Sequence, residues 1–558
     1  MNRYWHSPET TGINRLPILS LEHVEKISLD GTWKFQLLDH PSYDVRRKWS
    51  SLLVPGYMPT AEQLLPDFPH LPLINPTGIF EKDFELPISW QKRRIVLHIG
   101  ACQSLGVISV NGHEVGVTKD SHIASEFDIS NYIRRGKNTV RIRVAKFSDA
   151  SYLEDESDWR FGGLPRSVKV FVTNEVFIEQ FRTTTDLNEN STTGTLEIDA
   201  TIASLGKKDL AGYQLRVSVP ELPKQKNAQI SGVISDGMSG SLTIRTSLAH
   251  IQAWSSEAPN LYTLDIELID PQGLTIEVTH QKIGFRHIEL DDGQLYINDQ
   301  AIELFHDPES NVNLESGQIL NREIIRNSIL DLKRRNYNTV FTTEYANDPV
   351  LLDICDELGV YALAEPNIGF SGLNEKAATT SSYLNAFMQR ASRLVSRDIH
   401  HPSLIMWSLR KAQAKKSNVA SVAAYFEATD ETRALDYRGS VKNLFAPKST
   451  PRGPVSITSK APSAGNFLLA NNQNFVDLAQ LLISWSITQN EIVVERGNIS
   501  AIDLPPRSSK KLSIKSKNLG KSKMKTVITF TVAQKNSTPW APSLSEIQSF
   551  EFVLPIKR

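Results

Sequence analysis

The chain has 558 residues, room for three or four domains at a soft prior of ~150 residues each, and its 40% hydrophobic and 22% charged residues exclude a disordered or fibrous chain. With 61 basic against 62 acidic residues the net charge is -1, so no global field draws it to nucleic acid or an anionic membrane. Two cysteines, Cys102 and Cys355, and the absence of any long apolar segment exclude a disulfide framework, a cysteine zinc site and a transmembrane helix, and the reading is a soluble, unexported, cytoplasmic protein.

From Ile27 to about Val172, short alternating segments such as 32–37 and 94–99 read as half-buried strands. Asn111-Gly112 between apolar alternations is a strong hairpin signal. Strands this frequent predict a jelly-roll sandwich over residues 1–174. Residues 175–285 repeat the style with strands at 195–200 and 214–219, predicting an immunoglobulin-like sandwich. After His287 the period changes. Ile324, Ile325, Ile329 and Leu332 recur at helical spacing within 322–335, followed by a strand at 339–342. A helix at 351–358, a strand at 360–363, a helix near 382–397 and a strand at 404–407 continue the alternation. This predicts a parallel sheet of the barrel type over 286–440. Residues 441–558 return to strands such as 526–532 and predict a third sandwich. Its charge is distinctive: 16 basic and 6 acidic residues from Val441 onward, against 45 and 56 in the first 440. The fold class is therefore multidomain and mainly β with an α/β part.

The order of sandwich, sandwich, βα segment and sandwich resembles the family 2 glycoside hydrolases, and local motifs resemble their β-galactosidase branch. They are Thr11-Gly12-Ile13-Asn14-Arg15, Asn75-Pro76-Thr77-Gly78, Ser151-Tyr152-Leu153-Glu154-Asp155 with Trp159-Arg160, and Ile283-Gly284-Phe285-Arg286. Further along come Cys355-Asp356-Glu357-Leu358-Gly359, His401-Pro402-Ser403 with Trp407-Ser408-Leu409, and Thr538-Pro539-Trp540-Ala541-Pro542. The resemblance implies a retaining glycosidase, which needs two carboxyl groups ~5 Å apart, one to protonate the leaving group and one to attack the anomeric carbon.

Neither is in its expected place. Where the family reads Trp-Ser-Leu-Gly-Asn-Glu, this chain reads Trp407-Ser408-Leu409-Arg410-Lys411-Ala412, so the acid position holds Ala412. The two added cations are unfavourable near an oxocarbenium transition state. After 433–439, which resembles the fifth strand, the similarity jumps to the final sandwich, and the nucleophile's segment is missing. Arg286 to Gly439 is 154 residues, against ~250 for a complete eight-stranded barrel. The family's magnesium ligands fall on Gly369, Ser371 and Ala412, which leaves no hard-cation set, and no cofactor is expected.

The expected function is a non-catalytic scaffold, a β-galactosidase-like pseudoenzyme. The alternative is a glycosidase using other carboxylates, with Glu344 and Glu365 near neighbouring strand ends as the candidate pair. Asn75, Asp155, Asp158 and Trp407 are candidates for weak saccharide contacts. Lys510, Lys511, Lys515, Lys517, Lys521, Lys523 and Lys525 form a basic stretch without interleaved aromatics, a candidate for docking on an acidic protein surface but not for stacking nucleic-acid bases. A parallel sheet cut after about five strands leaves unpaired backbone and apolar side chains, so a homo-oligomer or hetero-complex is expected to cover them.

Overall fold

The computed structural model describes residues 4–45, 47–60, 66, 68–154, 161–188, 192–206, 208–234, 240–307, 321–342, 347–368, 376–409, 417–441, 451–499, 502–519 and 524–556. The chain opens with a jelly-roll-like sandwich. Its seven-stranded antiparallel sheet runs from Gly12–Ile13 at one edge to Ser50–Val54 at the other, and a four-stranded sheet centred on Arg94–Ile99 and Val168–Thr173 belongs to the same unit. Trp33, Phe80, Leu97, Ile108, Phe127 and Ile142 belong to one buried core. The Asn-Gly hairpin is present: Asn111 and Gly112 both take positive φ, 52° and 88°, between Leu105–Val110 and His113–Thr118, as a two-residue primed turn requires.

The second sandwich pairs a three-stranded sheet, built on Thr193–Ser204, with a four-stranded sheet containing Gln214–Ser218 and Tyr262–Ile269. Leu215, Val217, Leu264 and Ile266 alternate inward along two neighbouring strands, which is why period-2 reading locates them.

A hairpin of β1 (Ile288–Asp291) and β2 (Gln294–Ile297) leads into the α/β part: α1 (Arg322–Arg334), β3 (Thr339–Thr342), α2 (Val350–Leu358), β4 (Tyr361–Ala364), α3 (Leu384–Asp398), β5 (Leu404–Ser408), α4 (Ser417–Thr429) and β6 (Ala434–Asp436). Strands β3 to β6 form one parallel sheet in sequence order. Among the described residues a further parallel bridge joins His306 to Thr339 at the β3 edge. The sheet thus reaches five strands, counting the bridge, and the chain passes from β6 to the sandwich strand Val455–Ala461 within residues 437–454.

Alternation along β4 and β5 sorts the two faces. Ala362, Ala364, Leu404 and Trp407 pack with α3 and α4, whereas Tyr361, Leu363, Met406 and Ala434 meet the hairpin residues Ile288, Leu295 and Ile297 on the inner face. The hairpin therefore covers the amino-terminal half of the inner face within the same chain.

The last sandwich pairs Val455–Ala461, Asn466–Asn471 and Ser509–Ser513 with a sheet of Ile492–Ile499, Leu481–Gln489, Thr526–Gln534 and Glu546–Val553. Its contacts with the rest of the chain include the following. Phe475 packs against the inner-face cluster, Trp540 packs against the cluster of α1 and α2, and the Glu257 carboxylate accepts hydrogen bonds from the backbone N–H groups of Asn474, Phe475 and Val476 at 2.7, 2.7 and 3.2 Å. Beside it Lys333 donates to the carbonyls of Ser256 and Gly359, and burial pushes its ammonium down to about 8. Among the described residues no helix is long and apolar enough to cross a membrane.

Glu257 satisfies three donors with one carboxylate. Glu257→Ala is expected to lower stability by about 1–3 kcal/mol, the cost of stranding partly buried donors, read as a lower Tm in thermal melting. An unchanged Tm would show that the docking does not depend on this carboxylate.

Candidate active site at the carboxyl ends of the parallel strands

In barrel-type sheets the functional groups sit at the carboxyl ends of the strands. Here the register aligns Ala364 with Trp407 and Ser408 with Asp436, so Glu365, Ser408 and Asp436 form one row across β4, β5 and β6. Alternation places this row on the same side as Leu363, Met406 and Ala434, the inner face. The Ser408 hydroxyl donates to Glu365 Oε1 at 3.1 Å. Glu365 is 4% exposed and Asp436 0%. Asp436 is an inward carboxylate that sequence reading missed; its place as the last residue of a short apolar strand was the available signal. Glu344, the partner expected for Glu365, lies outside the described residues, as do Ala412, Asp155, Asp158, Gly369 and Ser371. Among the described residues no group of three or more His, Cys, Asp or Glu side chains is arranged to hold a metal ion.

Two of the candidate saccharide contacts, Trp407 and Asn75, are engaged within the chain. Trp407 points away from the inner face: its ring stacks on Phe426 of α4, centroids 5.3 Å apart and planes 4° apart, and it is 1% exposed. Its Nε1 donates to Asp430 Oδ2 at 2.8 Å. No ring face is left for a sugar, because strand alternation puts position 407 on the helix side. Asn75 is buried, its side chain donating to the Phe147 carbonyl at 2.8 Å and accepting from the Phe147 N–H at 3.0 Å. It clamps one backbone segment to another, and both polar groups are used.

Glu154, within the motif that resembles the sugar-reaching segment, instead joins two domains. It accepts from Arg390 of α3 at 2.6 Å, from Asn367 at 3.1 Å and from the Ser121 N–H at 3.1 Å, all buried. His401 is likewise structural, its Nδ1 lying 2.6 Å from Asp356 Oδ2. Of the basic stretch, Lys510 and Lys511 lie on the strand Ser509–Ser513, and they, Lys515, Lys517 and Lys525 are exposed. Lys521 and Lys523 lie outside the described residues.

Comparison with known families follows the same division of the chain. Residues 26–174 match "Glycosyl hydrolases family 2, sugar binding domain", 176–286 "Glycosyl hydrolases family 2", 288–452 "Glycosyl hydrolases family 2, TIM barrel domain", and 467–555 "Beta-galactosidase, domain 4". The chain belongs to glycosyl hydrolase family 2. A β-galactosidase of Priestia megaterium is 30% identical over 438 residues, covering 76% of this chain and 41% of the relative; one of Enterobacter cloacae is 28% identical over 482 residues, covering 80% and 47%. The chain spans less than half the length of these curated relatives. Among solved structures, the β-glucuronidase of Bifidobacterium dentium complexed with coumarin-3-O-glucuronide aligns with TM-score 0.60 at 17% identity, over 75% of both chains. The apo β-glucuronidase of Ruminococcus gnavus aligns with TM-score 0.58 at 19% identity, over 75% of this chain and 73% of that one. At these identities the likeness shows the fold.

Asp430 ties the family site's outer wall together. Burial alone pushes its carboxyl up, but Arg433, Trp407 and Thr432 outweigh it and hold it at about 2. A carboxyl depressed in the folded state stabilises above its unfolded pKa, and that stability is lost as pH falls through the folded value. Asp430→Asn is therefore expected to cost about 2 kcal/mol at neutral pH, with the difference from wild type shrinking between pH ~4 and ~2. Thermal melting across pH checks it; a difference independent of pH would contradict the assignment.

Proposed function

We propose that this family 2 chain is a non-catalytic scaffold rather than a working glycosidase. The observation that carries the reading is the burial of the strand ends: the carboxylates that face inward, Glu365 and Asp436, are 4% and 0% exposed. A retaining mechanism needs an accessible carboxyl pair ~5 Å apart. The backbones bearing this pair lie two strand spacings apart, roughly 9–10 Å, with Ser408 between them. The sequence supports the same reading, since the family's acid position holds Ala412 and residues 437–454 leave no length for three further βα units of the ~30 residues that each βαβ turn takes.

The second reading, hydrolysis by other carboxylates, rests on the same Glu365 and Asp436 pair. The purified chain is expected to hydrolyse neither aryl β-galactosides nor aryl β-glucuronides above background. Turnover that persists after removal of host enzymes, and disappears in both Glu365→Gln and Asp436→Asn, would overturn the scaffold reading.

A scaffold acts through what it holds. The exposed Lys510, Lys511, Lys515, Lys517 and Lys525 and the net-negative first 440 residues favour a second copy or an acidic partner protein at the last sandwich. Light scattering and native mass spectrometry are expected to show an assembly that weakens as salt is raised, because exposed charge contacts are screened as the Debye length falls to ~3 Å at 1 M. A salt-insensitive monomer that retains no partner in a native pull-down would contradict it.

A further inference from the structure

One opening at a domain junction lies away from the strand ends. A cleft of about 730 Å³ is bounded by Ser256 and Glu257 of the second sandwich, by Phe305, by the end of α1 and the segment to Asn338, and by the last sandwich. Asn338 immediately precedes β3, so the cleft opens at the amino ends of the parallel strands, opposite the row of Glu365, Ser408 and Asp436. Its size falls within the ~300–1,000 Å³ of ordinary ligand sites, and domain junctions are where such sites concentrate.

The lining narrows the ligand's chemistry. Three half-buried aromatic side chains, Phe305, Tyr337 and Trp540, face this one space. Trp540 is held by a tight turn, in which the Thr538 N–H donates to the Ala541 carbonyl at 2.8 Å and the Ala541 N–H donates to Thr538 Oγ1 at 3.0 Å. Arg326 of α1 also donates to the Pro539 carbonyl at 3.3 Å. The ring is thus presented by rigid backbone. Several polar groups of the lining are already committed: Glu257 to the amides of 474–476, Lys333 to two carbonyls and Asn474 to Arg507 at 2.7 Å. The charged side chains of the lining are Lys333, Arg334, Arg452 and Arg507 against Glu257, Glu303 and Glu546, nearly balanced at one net positive charge, so no strong field selects an ion here. Aromatic rings beside uncommitted donors and acceptors suit a neutral molecule with apolar C–H faces and a rim of hydroxyls.

We infer that this cleft between the barrel fragment and the last sandwich binds a short neutral saccharide, stacked on Trp540 and Tyr337 and hydrogen-bonded to Arg452 and Glu303. The site is separate from the strand ends, and its occupancy is independent of whether they are catalytic. A bound sugar bridges elements of two domains and so also stabilises their docking.

Calorimetric titration of the full chain with lactose, cellobiose, xylobiose and maltose at millimolar concentration tests it. At least one is expected to bind, with affinity reduced about tenfold or more in Trp540→Ala and in Arg452→Ala and unchanged in Glu365→Gln. Trp540 packs on α1, so if that variant fails to fold, Arg452→Ala, at an exposed position, decides. No binding of any of the four sugars would overturn the inference. So would binding that survives the cleft variants, or binding that Glu365→Gln abolishes. Because the readout is binding, failure here leaves the scaffold reading standing, and hydrolysis at the strand ends would leave this site standing.

Discussion

A parallel sheet is apolar on both faces and cannot stand open to water, and this chain builds one that reaches only β6 before turning into a sandwich. Covering that sheet organises everything around it. Helices α3 and α4 cover the outer side through Ala362, Ala364 and Trp407. The hairpin of β1 and β2 and the inserted Phe475 cover the inner side through Tyr361, Leu363 and Met406. A complete barrel would use its own remaining strands for this; here a hairpin from before the sheet and a side chain from after it contribute instead.

Because the covering parts come from different domains, the junctions are held by charged side chains that donate to or accept from backbone. Arg286, 1% exposed, donates to the carbonyls of Pro402 and Leu404. Within the α/β part itself, Arg433 likewise donates to those of Ile399, His401 and Leu404. Glu257 gathers three amides of the last sandwich, and Glu154 gathers Arg390, Asn367 and Ser121. Charge-assisted bonds of this kind are individually stronger than neutral ones, and removing one partner strands the others. Asn75 clamps Phe147, and Glu154 ties the first sandwich to α3.

The four-domain order was legible because each sandwich alternates with period 2 and each helix of the α/β part, α4 excepted, carries a clear apolar stripe. Predicted and observed bounds of α1, α2 and α3 differ by no more than two residues at either end. The helix α4 was passed over, since its alanines at 420, 423, 424 and 428 sit on both faces and blur the contrast between them. That Trp407 turns toward the helices is not legible in sequence: a residue's type does not reveal which face of a strand it takes, and the bulge between Ala362 and Leu363 in the pairing with β5 shifts the alternation there. Asp436 was missed because its significance lies in alignment with Glu365 two strands away, a relation created only by the sheet's register. The cleft beside Trp540 joins residues more than two hundred positions apart, and no local pattern announces it.

Under the proposed scaffold function the inward face of the sheet carries out no retaining chemistry. A retaining glycosidase passes through a covalent glycosyl-enzyme, so the direct measurement is intact-protein mass spectrometry after incubation with a 2-deoxy-2-fluoro-β-galactoside bearing a good leaving group. The unmodified mass is expected throughout. A stoichiometric glycosyl adduct that maps to Glu365 or Asp436 would contradict it.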